Sequence, residues 1–362
     1  MRWCAFVFAL AFAAFPTSFT AEPRERSLRE VAQASAMLIG AAVRPVQLSE
    51  LAYADTLARE FNMVEPEDAL KWEVVHPTQQ SFDFSQADQI VDFAVRHDMK
   101  VRGHTLVWHH QNPAWLTESK FNSSQLEQIL EQHIKTVVGH YRGKIFAWDV
   151  VNEAFDELRP GELRSTIWSG TATAADYSYI ERSFRCAHEA DPQALLFYNE
   201  AEAEVVNPKS DAIYAMVRDF RQRGVPIDGV GFQMHMANLH PDVASISANI
   251  SRFTALGVQV QITEMDVALP VDVEGNARPE DLQQQANIYR EIATACLSHP
   301  GCTAIQTWGF TDKYSWIGSH SKHTRGAALP FDKAYRPKPA YEALRNAVEN
   351  GTRRGRPQPE PH

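Results

Sequence analysis

Two acidic residues stand where charge is costly. Glu153 closes the run Trp148-Asp149-Val150-Val151-Asn152-Glu153, and Glu264 lies within Gln261-Ile262-Thr263-Glu264-Met265-Asp266. Both runs have the apolar, β-branched character of buried strand ends, where a carboxylate is unfavourable unless it is paired or put to use. Two carboxylates used together suit reaction at an acetal carbon: one protonates the departing oxygen while the other stabilises or attacks the carbon. The amides of Asn152 and Gln233, the imidazole of His235 and several tryptophans fit that chemistry on a sugar, whose ring stacks on an indole face. Metal-assisted hydrolysis is the chemical rival, but it calls for clustered ligands such as alternating histidines on one strand. His109 and His110 are adjacent, so they point apart in an extended chain, and no His-x-His occurs. Neither a metal nor an organic cofactor is expected.

These side chains need a scaffold that gathers distant strand ends. Short runs rich in β-branched and aromatic residues recur near Met37–Ala42, Phe61–Glu65, Val101–Trp108, Ile145–Val151, Ala194–Asn199, Gly229–Met234, Gln259–Glu264 and Ala304–Phe310. Segments with helical spacing lie between them, including Ser85–His97, Ser124–Tyr141, Ala174–Glu189, Ser210–Arg223, Val243–Leu256 and Leu282–Leu297. Strands alternating with crossover helices predict an α/β fold, a single-domain (β/α)8 TIM barrel. The doubly wound open sheet is the competitor, weakened because no Gly-rich phosphate loop follows the first strand. A barrel puts reactive groups at the carboxyl ends of its strands. The polar and aromatic residues concentrate there: Glu67, Asp68 and Lys71 after the second, His104, Trp108 and Gln111 on the third, Asn199 and Glu200 on the fifth, Trp308 and Asp312 on the eighth. Period-two geometry places His104 with Trp108, Gln233 with His235, and Glu264 with Asp266 on common faces.

The chain has 362 residues, is 44% hydrophobic and carries a formal net charge of -10. That charge excludes nucleic acid as the main partner, since no basic run offsets it. Met1 and Arg2, the apolar stretch from Trp3 to Phe15 and small or polar residues through Ala21 read as a secretory signal over residues 1–21, too short for a membrane span. A secreted protein, extracellular or periplasmic and monomeric, is expected, with its catalytic domain over 22–348 and a disordered tail over 349–362. Export suits a disulfide between Cys296 and Cys302, which flank the turn His299-Pro300-Gly301. Cys186 then reads as a small buried residue on a helix face.

From about Phe61 to Leu344 the chain resembles the xylanases of glycoside hydrolase family ten. The resemblance rests on Phe61-Asn62-Met63-Val64 with Lys71-Trp72, on the run from Arg102 through Gly103-His104-Thr105-Leu106-Val107-Trp108 to His109, and on the two glutamate runs with Ala154. Gly229-Val230-Gly231-Phe232-Gln233, Thr307-Trp308-Gly309-Phe310-Thr311-Asp312 and Arg336-Pro337-Lys338-Pro339-Ala340-Tyr341 match as well. It implies a retaining endo-enzyme that cleaves internal β-1,4 bonds of xylan and xylo-oligosaccharides, with Glu153 as general acid/base and Glu264 as nucleophile. Asn152, Gln233, His235 and Asp266 are implied as catalytic support. Glu67, Lys71, His104, Trp108 and Gln111 are implied to hold the glycone sugars, with Trp308 and Trp316 walling that end of the cleft. The resemblance also implies the Cys296–Cys302 bridge. Retention requires the two carboxyl groups to be about 5 Å apart.

Two positions depart from the pattern. Asp68 stands among the substrate-binding positions where the family has Asn, which exchanges an amide that donates and accepts for a group that, when ionised, only accepts. Asn199-Glu200-Ala201-Glu202 replaces Asn-Asp-Tyr-Asn, so an aromatic for stacking an aglycone sugar is missing. Altered chain-length preference or tolerance of decorated xylan is one expectation; contacts supplied by another loop are the alternative.

Overall fold

The alternation resolves, in a computed structural model describing residues 1, 25–169 and 176–352, into eight parallel strands closed on themselves. In chain order the barrel strands are Leu38–Val43, Met63–Pro66, Lys100–Val107, Ala147–Asn152, Leu195–Glu200, Gly229–Phe232, Gln259–Val267 and Cys302–Thr307. Each pairs with its sequence neighbour, and the eighth pairs with the first in the register Leu38↔Ala304 to Ala41↔Thr307, which closes the ring. Closure leaves these strands no free edge, so their backbone groups are satisfied within the sheet.

The helices cover the barrel through narrow apolar stripes. Ser85–Arg96 buries Ala87, Ile90, Val91, Phe93 and Ala94, the three- and four-residue spacing of one helix face. Two further helices were not named among the segments with helical spacing. Leu51–Glu60 buries Tyr53, Thr56, Leu57 and Glu60, so polar residues interrupt its inward stripe. The last helix, Pro339–Thr352, runs four residues into the segment expected to be a disordered tail. Glu349 holds that turn, its carboxylate reaching Arg26 at 2.8 Å and Arg345 at 3.8 Å. Residues 353–362, and the expected secretory segment apart from Met1, lie outside the described residues. The helix expected from Ala174 begins at Ser178, beyond the undescribed residues 170–175.

Cys296 and Cys302 form the expected disulfide, joining the end of helix Pro279–Leu297 to the eighth strand across a Cα separation of 5.3 Å. Cys186 is free and buried, as anticipated. Among the described residues no helix is long and apolar enough to cross a membrane.

Inside the barrel the packing includes a charged layer. Arg102 is fully buried, its Nε donating to Asp149 Oδ2 at 3.0 Å and its Nη1 to Gln261 Oε1 at 2.5 Å, while its plane lies 4.6 Å from the Phe197 ring centroid. A buried charge is tolerated only when paired and hydrogen-bonded, and this layer forms the floor of the site above it.

Candidate active site

Glu153 follows the last residue of the fourth strand in a left-handed conformation, φ +52°, with its amide donating to Asn199 O on the fifth. Its side chain is partly exposed and tethered by both oxygens. Oε1 accepts from Gln233 Nε2 at 2.8 Å and Asn152 Nδ2 at 3.2 Å; Oε2 accepts from Trp108 Nε1 at 2.9 Å. Three donors from three strand ends fix the carboxyl group at the mouth of the barrel.

Glu264 sits deeper on the seventh strand, 4% exposed. Asn199 Nδ2 donates to its Oε1 at 2.7 Å, and His235 Nε2 lies 3.0 Å from its Oε2. His235 is clamped from the other side by Asp266 Oδ2, 3.0 Å from Nδ1. Burial works against charge on this imidazole, but Asp266 and Glu264 on either side overcome it and hold its pKa well above the ordinary value. His235 is therefore an imidazolium at neutral pH, donating through both nitrogens. Trp316 Nε1 donates to the same Asp266 oxygen at 2.8 Å, so this tryptophan orients the clamp as well as standing beside it.

One amide oxygen links the two glutamates. Asn152 Oδ1 accepts from Asn199 Nδ2 at 2.9 Å and from Gln233 Nε2 at 3.2 Å, and these two donors also hold Glu264 and Glu153 respectively. Asn199 was visible in the sequence only as one polar residue at a strand end, and its partner Thr263, whose hydroxyl donates to Asn199 Oδ1 at 2.7 Å, was not singled out. Gly231 makes room for the amide, because a Cβ there would lie 2.1 Å from Asn199 Oδ1.

The remaining expected site residues gather on one side of the pair. Lys71 Nζ lies 4.7 Å from the Trp108 ring centroid and 5.5 Å from that of Trp308. Cation–π contacts of this kind fix a long side chain without consuming its hydrogen bonds. His104 is buried beneath them, its ring 5.3 Å from Trp308 and its Nδ1 3.0 Å from Asp149 Oδ2. The pairing of the third and fourth strands shifts register between His104 and Val107, so period-two counting does not carry from His104 to Trp108. His104 belongs to the floor and Trp108 to the mouth. Glu67, Asp68 and Gln111 complete the cluster; Gln111 Nε2 donates to Glu73 Oε1 at 3.0 Å and approaches Asp68 Oδ1 at 3.4 Å.

Two strand-end acids turn out to be structural. Glu200 is fully buried, accepts from Tyr198 OH at 2.5 Å and Phe155 N at 3.3 Å, and pairs with Lys209 at 3.2 Å. Burial pushes its pKa up to about 7 despite that lysine. Lys209 also donates to the carbonyl of Ala201, where the stacking aromatic was missed. Glu65 is fully buried in the barrel, and burial raises its pKa against the pull of His104 and Arg102 beside it. Glu65, His104 and Glu264 are the one trio of ligand-type side chains that converges, within 4.8 Å, among the described residues. The Arg102 guanidinium already stands 3.5 Å from Glu65, His104 is turned to Asp149, and both oxygens of Glu264 are engaged. A cation would compete with charge that the chain itself supplies.

Two carboxylates with different support, one partly exposed among neutral donors and one held by an imidazolium, on the carboxyl face of a barrel, define a glycoside hydrolase of the two-carboxylate class. The match to the family model described as glycosyl hydrolase family 10 extends over residues 27–347, and the chain belongs to that family. It is 45% identical over 297 residues to an endo-1,4-beta-xylanase B of Thermotoga neapolitana, covering 82% of this chain and 83% of that one. A beta-1,4-xylanase of Dictyoglomus thermophilum is 40% identical over 325 residues, covering 87% and 89%. Among solved structures, xylanase 10B from Thermotoga petrophila RKU-1 in complex with xylobiose superposes with a TM-score of 0.86 at 40% identity, over 92% of this chain and all of that one.

Proposed function

We propose that this protein is a retaining endo-1,4-β-xylanase, working by double displacement with Glu153 as general acid/base and Glu264 as nucleophile. The observation that carries the assignment of roles is the unequal support of the two carboxylates. Glu264 lies between the Asn199 amide and the His235 imidazolium, aimed by donors on both oxygens. Glu153, held by the indole of Trp108 and the amide of Gln233 and paired with no cationic side chain among the described residues, sits at the more exposed mouth where a leaving oxygen departs and water arrives.

In the first step Glu153 gives its proton to the glycosidic oxygen while Glu264 attacks the anomeric carbon, forming a glycosyl ester and releasing the aglycone chain. Esterification removes the negative charge of Glu264. Glu153, now ionised, takes a proton from water as the water attacks the ester, and the original configuration returns. Through both steps Asn152 keeps the two carboxyl groups in register by sharing its oxygen with the donors of each.

The choice of xylan rests on family membership and on the xylanase identity of the relatives. Comparing reducing-sugar release from xylan, cellulose and mannan tests it: release should be greatest from xylan by at least an order of magnitude, and preference for either of the other polymers would overturn the assignment. Export to the periplasm or medium belongs to the same reading and is supported by the amino-terminal apolar stretch. Recovery of the protein only from the cytoplasm, with Met1 or Arg2 as its first residue, would contradict it.

A further inference from the structure

A line of contacts leads from the acid/base to a residue that the sequence pattern did not single out. Glu153 Oε2 accepts from Trp108; Lys71 lies over the Trp108 ring and 3.5 Å from Asp68 Oδ1; and Asp68 Oδ2 lies 3.0 Å from Arg44 Nε. Arg44 comes from the end of the first strand, at the start of the 3-10 turn Pro45–Ser49, where its backbone amide donates to Gln47 Oε1 at 3.0 Å. Its guanidinium spans both acidic side chains, since Nη2 also reaches Glu67 Oε1 at 2.7 Å. Nη1 has no partner among the described residues, and about half of the side chain is exposed, at 47%. A planar guanidinium whose Nε and Nη2 are held by carboxylates keeps Nη1 as a donor fixed in place by its neighbours.

Asp68 explains why such a group is needed. An ionised aspartate at this position cannot donate a hydrogen bond, and it adds a negative charge beside Glu67, which is 8% exposed. Arg44 offsets both deficits: it neutralises the added charge and supplies N–H donors beside Asp68. Because Asp68 lies one contact beyond Lys71, which covers the tryptophans next to the catalytic pair, the group served is the second glycone sugar, not the reacting one.

We propose that Arg44 is a specificity-determining residue, acting with Asp68 as a unit that hydrogen-bonds the hydroxyls of the second glycone sugar. This inference rests on the xylanase reading above. Its consequence is that substrate length, not chemistry at the reacting sugar, depends on Arg44.

The test compares an aryl β-xyloside with an aryl β-xylobioside bearing the same leaving group. Arg44→Met should lower kcat/KM for the xylobioside by about ten- to a hundredfold, the range for losing charge-assisted hydrogen bonds, with a loss on the xyloside at least fivefold smaller. Arg44→Lys keeps the charge but not the fork and should fall between parent and methionine. Adding Asp68→Asn to Arg44→Met removes the unpaired charge and restores an amide donor, so it should recover most of the loss. An equal loss on both substrates, no loss on the xylobioside, or no recovery in the double variant would each overturn the proposal. Turnover of the xylobioside by the parent enzyme tests the xylanase reading separately; if that succeeds while the Arg44 variants match the parent, only the role of Arg44 fails.

Discussion

Replacing Glu264 by alanine is expected to reduce kcat on xylan by at least about 10⁴-fold, the scale of effect seen when a covalent nucleophile is removed, equivalent to about 5.5 kcal/mol of transition-state stabilisation. The loss should be confined to chemistry, because the alanine leaves Asn199 and the His235–Asp266 pair in place and the barrel strand intact. The vacated space offers a diagnostic. Azide admitted there, with an activated aryl β-xylobioside, should attack from the face that Glu264 used and yield the α-glycosyl azide, since no second displacement restores the configuration. A variant retaining activity within tenfold of the parent, or a β-azide product, would remove Glu264 from the role of nucleophile.

Glu153→Gln should give a different signature, because an acid/base matters only as much as the leaving group needs its proton. On xylan, whose leaving group is a sugar hydroxyl, kcat/KM should fall by about 10² to 10⁴-fold, the usual weight of general acid–base catalysis. On a dinitrophenyl β-xylobioside, whose phenolate departs unaided, kcat/KM should stay within a few-fold of the parent while kcat falls, since the second step still lacks its base. Rapid-mixing experiments should then show a burst of phenolate followed by slow turnover. Equal losses in kcat/KM on the two substrates would mean that Glu153 positions substrate and does not transfer the proton.

The barrel was legible because its strands are short runs rich in β-branched and aromatic residues, and most of its helices bury a mainly apolar stripe. Leu51–Glu60 was not, since Thr56 and Glu60 face inward and find their partners elsewhere in the fold: Glu60 accepts from Leu28 N at 3.0 Å and Tyr341 OH at 2.6 Å, groups 32 and 281 residues away. The site shows the same division. Strand-end logic finds acids but cannot say what each one meets. Glu153 and Glu264 find neutral donors and an imidazolium, whereas Glu200 finds Lys209, nine residues on in helix Pro208–Gln222, and Glu65 accepts from Gln306 across the barrel. Arg44 was hidden for a further reason. Its meaning depends on Asp68, 24 residues later, and a lone arginine after a strand carries no signal until the fold brings the two together.

Double displacement is the claim on which the assignment of both glutamates stands, and the first-formed product reads it directly. Proton NMR of a xylo-oligosaccharide digest, recorded before mutarotation equalises the anomers, should show new reducing ends as the β-anomer, with the α-anomer growing in later. Initial release of the α-anomer would mean a single displacement by water, and would exclude a covalent intermediate on Glu264.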